Sequence, residues 1–549
     1  MAVPTSSRCR HDIARSAWVE RRLPPHPAFR RRHLRYAIRD SCGASPHIAM
    51  RRTRQAPYGE RCMCIRRRSS ARLRPQRRQR PDARKPDHRI AEPPDAAPPR
   101  PISRRATYNT QAAPHPSNLL FDHSPEDPAM PQTLPDHPLS TGTDYETLAA
   151  RFRPIFARIA AGAIERDRTR TLPHEPIRWL KEAGFGAVRV PVQAGGAGAS
   201  IPQLFRLLIE LAAADSNLPQ ALRGHFAFVE DALNAPPGPA PQAWFDRFAS
   251  GQLVGNAWTE VGDVALGEVK TRVSKRDGRW VVNGAKYYST GTIFADWIDV
   301  YAQRADDGSP VIAAVATHQA GVIRDDDWDG FGQATTGSGT TRFVDAHVDE
   351  AHVTDFARRF KYQTAFYQLF HLATLAGIGR AVERDASALV RERKRIYSHG
   401  NAPRVSDDAQ ILQVVGEISA WAYAAEAVAL RAAQPSQRAY EARFGGDAAA
   451  EHDANVAAEI ESAQGQLVVS ELVLRAATHL FDALGASAIS AAKALDRHWR
   501  NARTVASHNP LVYKARIVGD RAVNGTEPPY VWQIGAGAGK REEEKEKAA

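Results

Sequence analysis

Residues 495 to 516 read LDRHWRNARTVASHNPLVYKAR, a stretch dense in groups that bind anions and move protons. Arg497, Arg500 and Arg503, with His498 and Trp499, close one helix. Asn509-Pro510 then breaks it, because a proline disfavours the α conformation in the residue before it. A second helix carries Tyr513, Lys514 and Arg516. The pattern predicts a helix–loop–helix corner with His508 at its tip, able to hold an imidazole over a pocket. An imidazole titrates near neutrality and can give or take a proton there. The corner holds no carboxylate. A second candidate is Arg391-Glu-Arg-Lys-Arg395, with His399 and Gln410 beyond it. Such a cluster is a solvated helix face or, through fork-like guanidinium donors, a phosphate site. His225 lies in LPQALRGHFAFVEDAL, where the alternative to a functional role is a packed core histidine. All four cysteines (Cys9, Cys42, Cys62, Cys64) precede residue 65, which excludes disulfides, thiolate catalysis and iron–sulfur clusters from the body. Cys62-Met63-Cys64 has the wrong spacing for a zinc knuckle, and no second pair supports one, so no metal is expected.

These groups need elements to position them, and the 549 residues divide sharply by composition. Residues 1–129 hold 28 Lys and Arg against 11 Asp and Glu, a net of +17, whereas the remainder holds 46 against 50. The overall charge of +13 therefore belongs to an Arg/Pro-rich leader and says nothing about the partner of the body. That leader lacks sustained periodicity and cannot bury enough apolar surface to offset its ordering entropy. It reads either as a basic arm for nucleic acid, as a presequence, or as upstream sequence before a true start at Met130. The last is the expectation here. No apolar run approaches the ~18 residues of a membrane span. Thr143-Asp-Tyr-Glu146 is a capping box with Thr at the cap, and apolar residues from Leu148 to Ala163 follow at helical spacing, with Pro154 as a possible kink. Val188 to Val192 reads as extended, and Ile201 to Ala214 as a helix. From Gly251 the period changes to strands. Arg279-Trp-Val-Val-Asn-Gly284 follows an Asp277-Gly278 hairpin turn, and Val269–Ser274, Trp297–Ala302, Val311–Ala316 and Thr341–Val348 continue the pattern. Helices are expected at 364–395, 406–434, 449–482 and in the 495–524 pair. The Gly-rich tail ending in KREEEKEK is expected to be disordered.

Several segments resemble the acyl-CoA dehydrogenase superfamily. They are Val190-Pro191…Gly195-Gly196-Ala-Gly198, Asn283-Gly-Ala-Lys-Tyr-Tyr-Ser-Thr-Gly291, Thr335-Thr-Gly-Ser-Gly339, and the 495–516 corner itself. Where the dehydrogenases carry a catalytic Glu in a Tyr-Glu-Gly-Thr type loop, this chain has Ala-Ser-His-Asn-Pro. The likeness is nearest to the flavin-dependent monooxygenases of this fold, the dibenzothiophene monooxygenase-like group. The resemblance implies an α+β architecture: an N-terminal helical domain (136–250), a central β-barrel domain (251–358) and a C-terminal four-helix bundle (359–530). A leader (1–135) and a disordered tail (531–549) flank them.

It also implies residue roles. Tyr288 lies beside the flavin ring and Thr290 near its N5 edge, where a hydroxyl acceptor helps retain the N5 proton. Gly255-Asn-Ala-Trp-Thr-Glu260 stands at a flavin-contact loop, with Val261 replacing a proline. There Asn256 faces the substrate, unless it is a turn residue, and the backbone of Trp258 and Thr259 faces the pyrimidine edge. Trp328 walls the pocket, unless it is a core Trp of the barrel, and Ser338 contacts phosphate or ribityl. Arg395, then Arg393, with Gln410, reaches the cofactor phosphates of a neighbouring subunit. His508 and His225 form an oxygen-transfer pair; Val505 stands where relatives place a further loop His. The implied function is a cytoplasmic, homotetrameric two-component monooxygenase. It takes reduced FMN from an NAD(P)H:flavin reductase, the chain itself lacking a dinucleotide-binding fingerprint. It inserts one atom of O2 into a small sulfur- or nitrogen-containing substrate through a C4a-hydroperoxyflavin. The rivals are an acyl-CoA dehydrogenase using FAD and a nucleic-acid-binding protein acting through the leader.

Overall fold

Asp144 accepts hydrogen bonds from the Glu146 and Thr147 amides, satisfying two of the donors that a helix start leaves free. The computed structural model describes residues 144–261 and 269–529. The expectations for the leader, for Thr143 and for the tail lie outside those residues, and the cap is Asp144. Helix α1 (Tyr145–Ala150) stops before α2 (Arg153–Ala161), which has Pro154 in its first turn, and α3 (Ala163–Thr169) and α4 (His174–Glu182) follow. The single kinked helix expected here is three pieces, since a proline opens a helix more readily than it sits inside one. Val188 to Val192 is likewise not a strand. Ala197, Gly198 and Ala199 return their amides to Ala187, Val190 and Val188, so this segment folds on itself as turns.

Ser200 forms a reciprocal capping box with Gln203 and opens α5 (Ile201–Ala214). The buried α6 (Asn217–Asn234) and then α7 (Pro239–Ala249) lead into the strands. These are β1 (Val254–Ala257), β2 (Arg272–Arg276), β3 (Arg279–Lys286), β4 (Trp297–Arg304), β5 (Pro310–Ala316), β6 (Val322–Arg324), β7 (Thr341–His347) and β8 (Val353–Asp355). They make one sheet in the order β6-β7-β3-β2-β4-β5-β8, with β1 parallel on β4. The β2–β3 hairpin turns at Asp277 (φ 50°) and Gly278 (φ 76°), both left-handed as its right-handed twist favours. The short β1, β6 and β8 carry no strand-length alternation and were not expected.

Long helices α8 (Gln363–Glu392), α9 (Ala409–Ala442) and α10 (Ala448–Leu484) pack together, joined by α11 (Asp496–Ala506) and α12 (Leu511–Asn524). Helix α8 ends at Glu392, so Arg393 to Arg395 lie beyond it rather than on it. Helix α9 runs on through the buried Pro435, where packing overrides the propensity that placed its end near 434. Phe205, Phe226, Phe366 and Phe370 interlock α5, α6 and α8, with Phe205 and Phe370 centroids 5.1 Å apart. Among the described residues no helix is long and apolar enough to cross a membrane.

Two buried polar ties hold the turns before α5 and the start of the sheet to α6. Arg189 and Glu230 are fully buried and bonded at 2.7 Å, and Tyr362 adds its hydroxyl to the same carboxylate at 2.6 Å. His225 is fully buried; its Nε2 donates to the Gly186 carbonyl at 2.8 Å and its Nδ1 accepts from the Val254 amide at 3.3 Å. Both ring nitrogens are used by backbone, and the edges of Phe226 and Phe248 pack on the ring.

Removing one member of a buried ion pair strands the other, at about 3–5 kcal/mol. Glu230→Ala is therefore expected to lower unfolding free energy by that order in denaturant titration; a change under ~1 kcal/mol would contradict it. Burial, opposed by the Gly186 carbonyl, lowers the His225 pKa from 6.5 to about 4. The folded state then binds fewer protons than the unfolded one between these values. Stability is full above the unfolded pKa and falls as pH drops from about 6.5 to about 4, by roughly 3 kcal/mol for this residue. His225→Gln is expected to flatten the pH dependence of the melting temperature across that window, and an unchanged slope would refute the assignment.

Candidate functional site

The break at Asn509-Pro510 ends α11, and Asn509 Nδ2 donates to Gln368 Oε1 on α8 at 2.7 Å. That bond pins the corner to the bundle and leaves His508 at its tip. The ring of His508 lies 4.3 Å from that of His371, centroid to centroid. Arg223 of α6 bridges them: its Nη1 stands 2.9 Å from Nε2 of each imidazole. A guanidinium only donates, so both imidazoles present the Nε2 lone pair and carry their proton on Nδ1. Burial, His508 and Arg223 hold the His371 pKa well below its usual value. Enclosure by protein and then Arg223 push His508 down to about 3. His508 is exposed as a residue, so solvent weakens the first of these causes; the direct guanidinium contact is screened least. The imidazole at the corner is thus neutral.

The structure pairs His508 with His371 and Arg223 and not with His225, whose nitrogens are both taken elsewhere. Arg223, His371, Gln220 and Gln368 were missed by sequence reasoning. A usable signal existed in α8, where Thr364, Gln368, His371 and Thr374 recur at one-face spacing in an otherwise apolar helix, all buried. Gln220 on α6 donates to Thr374 at 3.2 Å, extending that polar seam.

Helix α6 meets the sheet through two glycines. A Cβ on Gly224 would lie 2.8 Å from Asn256 Cβ, and one on Gly291 (φ 78°) 1.9 Å from the Ala221 carbonyl oxygen. These close approaches bring Asn256 and Thr290 beside the turn of α6 that carries Arg223. Asn256 is buried, and its Oδ1 has no partner among the described residues. Thr290 begins a row of hydroxyls: Thr290 to Ser338 at 2.7 Å, Ser338 to Thr336 at 2.7 Å, and Thr336 to the Gln333 carbonyl at 2.9 Å. The row ends on a carbonyl at each side, since Thr290 Oγ1 also stands 3.3 Å from the Tyr288 carbonyl oxygen. Whichever way the hydroxyl protons run, Thr290 Oγ1 keeps at least one lone pair for an outside donor.

Tyr288, at φ 57° and half exposed, sets its ring edge-to-face with Trp328 at 5.9 Å. Trp328 is tied by its indole N–H to the Gln333 carbonyl at 3.1 Å and lies outside the apolar core of the sheet. Trp258 is buried against the Arg359 guanidinium, 4.6 Å from the ring centroid, and Thr259 bridges to Tyr287. Lys286 bonds the Trp258 carbonyl and the Glu260 carboxylate, fixing that loop. The unpaired Asn256 Oδ1, the open Thr290 acceptor and the exposed Tyr288 ring suit a planar heterocycle with polar edges, as a flavin is.

The basic cluster divides. Arg393 donates to the Ala483 and Leu484 carbonyls at the end of α10, the partner a C-terminal helix end needs. Arg395 is exposed and pairs with no acidic side chain among the described residues. Gln410, also exposed, accepts from Asn401 at 2.9 Å. Among the described residues neither Arg395 nor Gln410 is joined to the His508 corner.

The acyl-CoA dehydrogenase N-terminal domain matches residues 144–251, and the acyl-CoA dehydrogenase C-terminal domain matches 369–512. A dibenzothiophene monooxygenase of Rhodococcus qingshengii is 28% identical over 397 residues, covering 68% of this chain and 93% of its own. A probable FMNH2-dependent monooxygenase, SfnC, of Pseudomonas putida is 26% identical over 389 residues, 68% of this chain and 94% of its own. The crystal structure of FMN-bound TdsC from Paenibacillus sp. A11-2 superposes with a TM-score of 0.64 at 26% identity, over 70% of this chain and 98% of that one. With both helical regions matched and relatives aligned across the sheet between them, the chain is a flavin-dependent monooxygenase of the acyl-CoA dehydrogenase fold.

Proposed function

We propose that the chain uses FMNH2, delivered by a separate NAD(P)H:flavin reductase, to insert one atom of O2 into a small sulfur-containing substrate. The observation that carries this reading is the corner itself: a neutral imidazole stands at its tip, and no carboxylate is present to remove a proton from carbon. Bound FMNH2 supplies the two electrons that reduce the second oxygen atom to water. Relatives that share this architecture along nearly their whole length include dibenzothiophene and FMNH2-dependent monooxygenases, which supports both cofactor and substrate element.

The residues divide the work by position. Thr290 Oγ1, left as an acceptor, holds a proton donor at the cofactor's edge. Tyr288 and Trp328 wall the cleft, with Trp258 and Thr259 behind it, and Ser338 keeps Thr290 oriented. Asn256 Oδ1 accepts from substrate or cofactor. His508, protonated on Nδ1, donates to developing negative charge on oxygen without first needing to lose its own charge. Displacing water from the cleft strengthens each of these bonds. Arg395 reaches the cofactor phosphate of a neighbouring subunit in a homotetramer, with Gln410 beside it, whereas Arg393 is occupied as a helix cap. The enzyme and its reductase share the cytoplasm in this reading. An acyl-CoA dehydrogenase would need a base that the His508 corner lacks.

His508→Ala is expected to keep the fold and FMN affinity while substrate oxidation falls by at least ~10²-fold, the usual range for a lost proton donor. Oxygen uptake with FMNH2 should persist, its electrons appearing as H2O2. Oxygen-electrode and peroxide assays side by side test this, and unchanged coupling would remove His508 from the mechanism. Arg395→Ala is expected to weaken FMN binding by about 1.5–3 kcal/mol, roughly ten- to a hundredfold in Kd, through loss of a charge-assisted phosphate partner. Equal affinities in a flavin titration would leave Arg395 a solvated loop residue.

A further inference from the structure

Arg223, buried beside His508 and His371, is a feature that oxygen transfer to a neutral sulfur compound does not account for. The residue is only 6% exposed. Its Nη1 donates both protons to neutral imidazole nitrogens, and its guanidinium lies over the Tyr367 ring at 5.4 Å. Among the described residues its Nε is buried without a partner, and Nη2 bonds no protein atom and is not sealed in. The carboxylates nearby are all engaged elsewhere. Asp231 and Asp299 pair with Arg359, and Glu459, bonded by Thr364, faces Lys514 on α12. Among the described residues no acidic side chain neutralises Arg223.

Such an arrangement is costly. A guanidinium keeps its charge under all ordinary conditions, and taking it out of water without a counter-ion costs several kcal/mol. Burial does push it toward the neutral form, opposed only weakly by Tyr367. The two imidazoles beside it are themselves held neutral, and Lys514 adds further positive potential at His371. Arg223 is therefore a preorganised cationic fork whose Nε and Nη2 protons lie side by side, the edge that binds a two-oxygen anion.

We propose that Arg223 docks an anionic head group of the substrate, a sulfinate or carboxylate, and that this enzyme selects organic oxyanions over neutral molecules of the same shape. The proposal rests on the cleft being the substrate side of a flavin monooxygenase. Docked there, the anion supplies the missing counter-charge, and His508 and His371 present their other faces to the rest of the molecule. The flavin-side residues Asn256 and Thr290 stand across Gly224 and Gly291 from the same turn of α6, so head group and reacting edge share one cleft.

The test uses the full chain loaded with FMN and titrated calorimetrically with benzenesulfinate and with benzenesulfinamide, its neutral counterpart. The parent is expected to bind the anion at least ~10-fold more tightly than the amide, as one charge-assisted fork allows. Arg223→Gln should lose that preference while binding the amide as the parent does, and Arg223→Lys, keeping charge but not the fork, should recover only part of it. Equal binding of the two probes by the parent would overturn the proposal without any variant. So would an Arg223→Gln protein that still prefers the anion, or one whose FMN affinity falls in place of its sulfinate affinity, which would put Arg223 at the cofactor. The arms separate from the oxygen chemistry. A protein that discriminates the anion yet consumes no O2 with FMNH2 would defeat the monooxygenase reading and leave the assignment of Arg223 intact.

Discussion

One guanidinium nitrogen, Nη1 of Arg223, sits 2.9 Å from imidazoles on two other elements, and most of what the cleft can do follows from that. It joins α6, α8 and the α11–α12 corner, three segments far apart in the chain. It fixes both rings as Nδ1–H tautomers and prevents either from charging. A neutral donor at the corner suits chemistry in which negative charge develops on oxygen; it is a poor base toward a carbon acid. The close packing of Gly224 on Asn256 and of Gly291 on Ala221 then sets Asn256 and Thr290 against the same turn of α6.

The scaffold is that of the acyl-CoA dehydrogenases, and the change of chemistry is local. Helical regions and sheet persist because they depend on distributed apolar packing, which tolerates wide substitution while volume and pattern hold. Reactivity depends on a handful of polar groups in one cleft. A carboxylate at the corner would pair with Arg223 and cancel the field there. An imidazole leaves that field in place, available to the substrate.

Where chemistry is local the sequence was legible. Asn509-Pro510 announced the corner and put His508 at its tip, Asp277-Gly278 announced a left-handed turn, and the periodicity of α5 and α10 located both of them, while that of α9 gave its start but not its end. Where position depends on distant chain it was not. His225 and His371 both lie among apolar neighbours in helices; His371 shares a polar face with Thr364, Gln368 and Thr374, but neither stretch shows that the His225 ring is taken up by backbone. Arg223 was missed because its lack of a counter-charge is a property of the folded surroundings. Arg395 and then Arg393 were both candidates for phosphate, but α8 ends at Glu392 and Arg393 goes to the carbonyls of α10. Val188 to Val192 has the composition of a strand, but its backbone partners lie in its own return segment.

The account stands on oxygen coming from O2 at a cleft without a carbon base. The direct measurement is the mass of product formed when the enzyme, FMNH2 and a sulfur substrate react under isotopically heavy O2 in ordinary water. One heavy oxygen atom per product molecule, with none acquired from heavy water under ordinary O2, is the predicted result. Unlabelled product, or the same product formed without O2 by the oxidised flavin and an artificial electron acceptor, would contradict it.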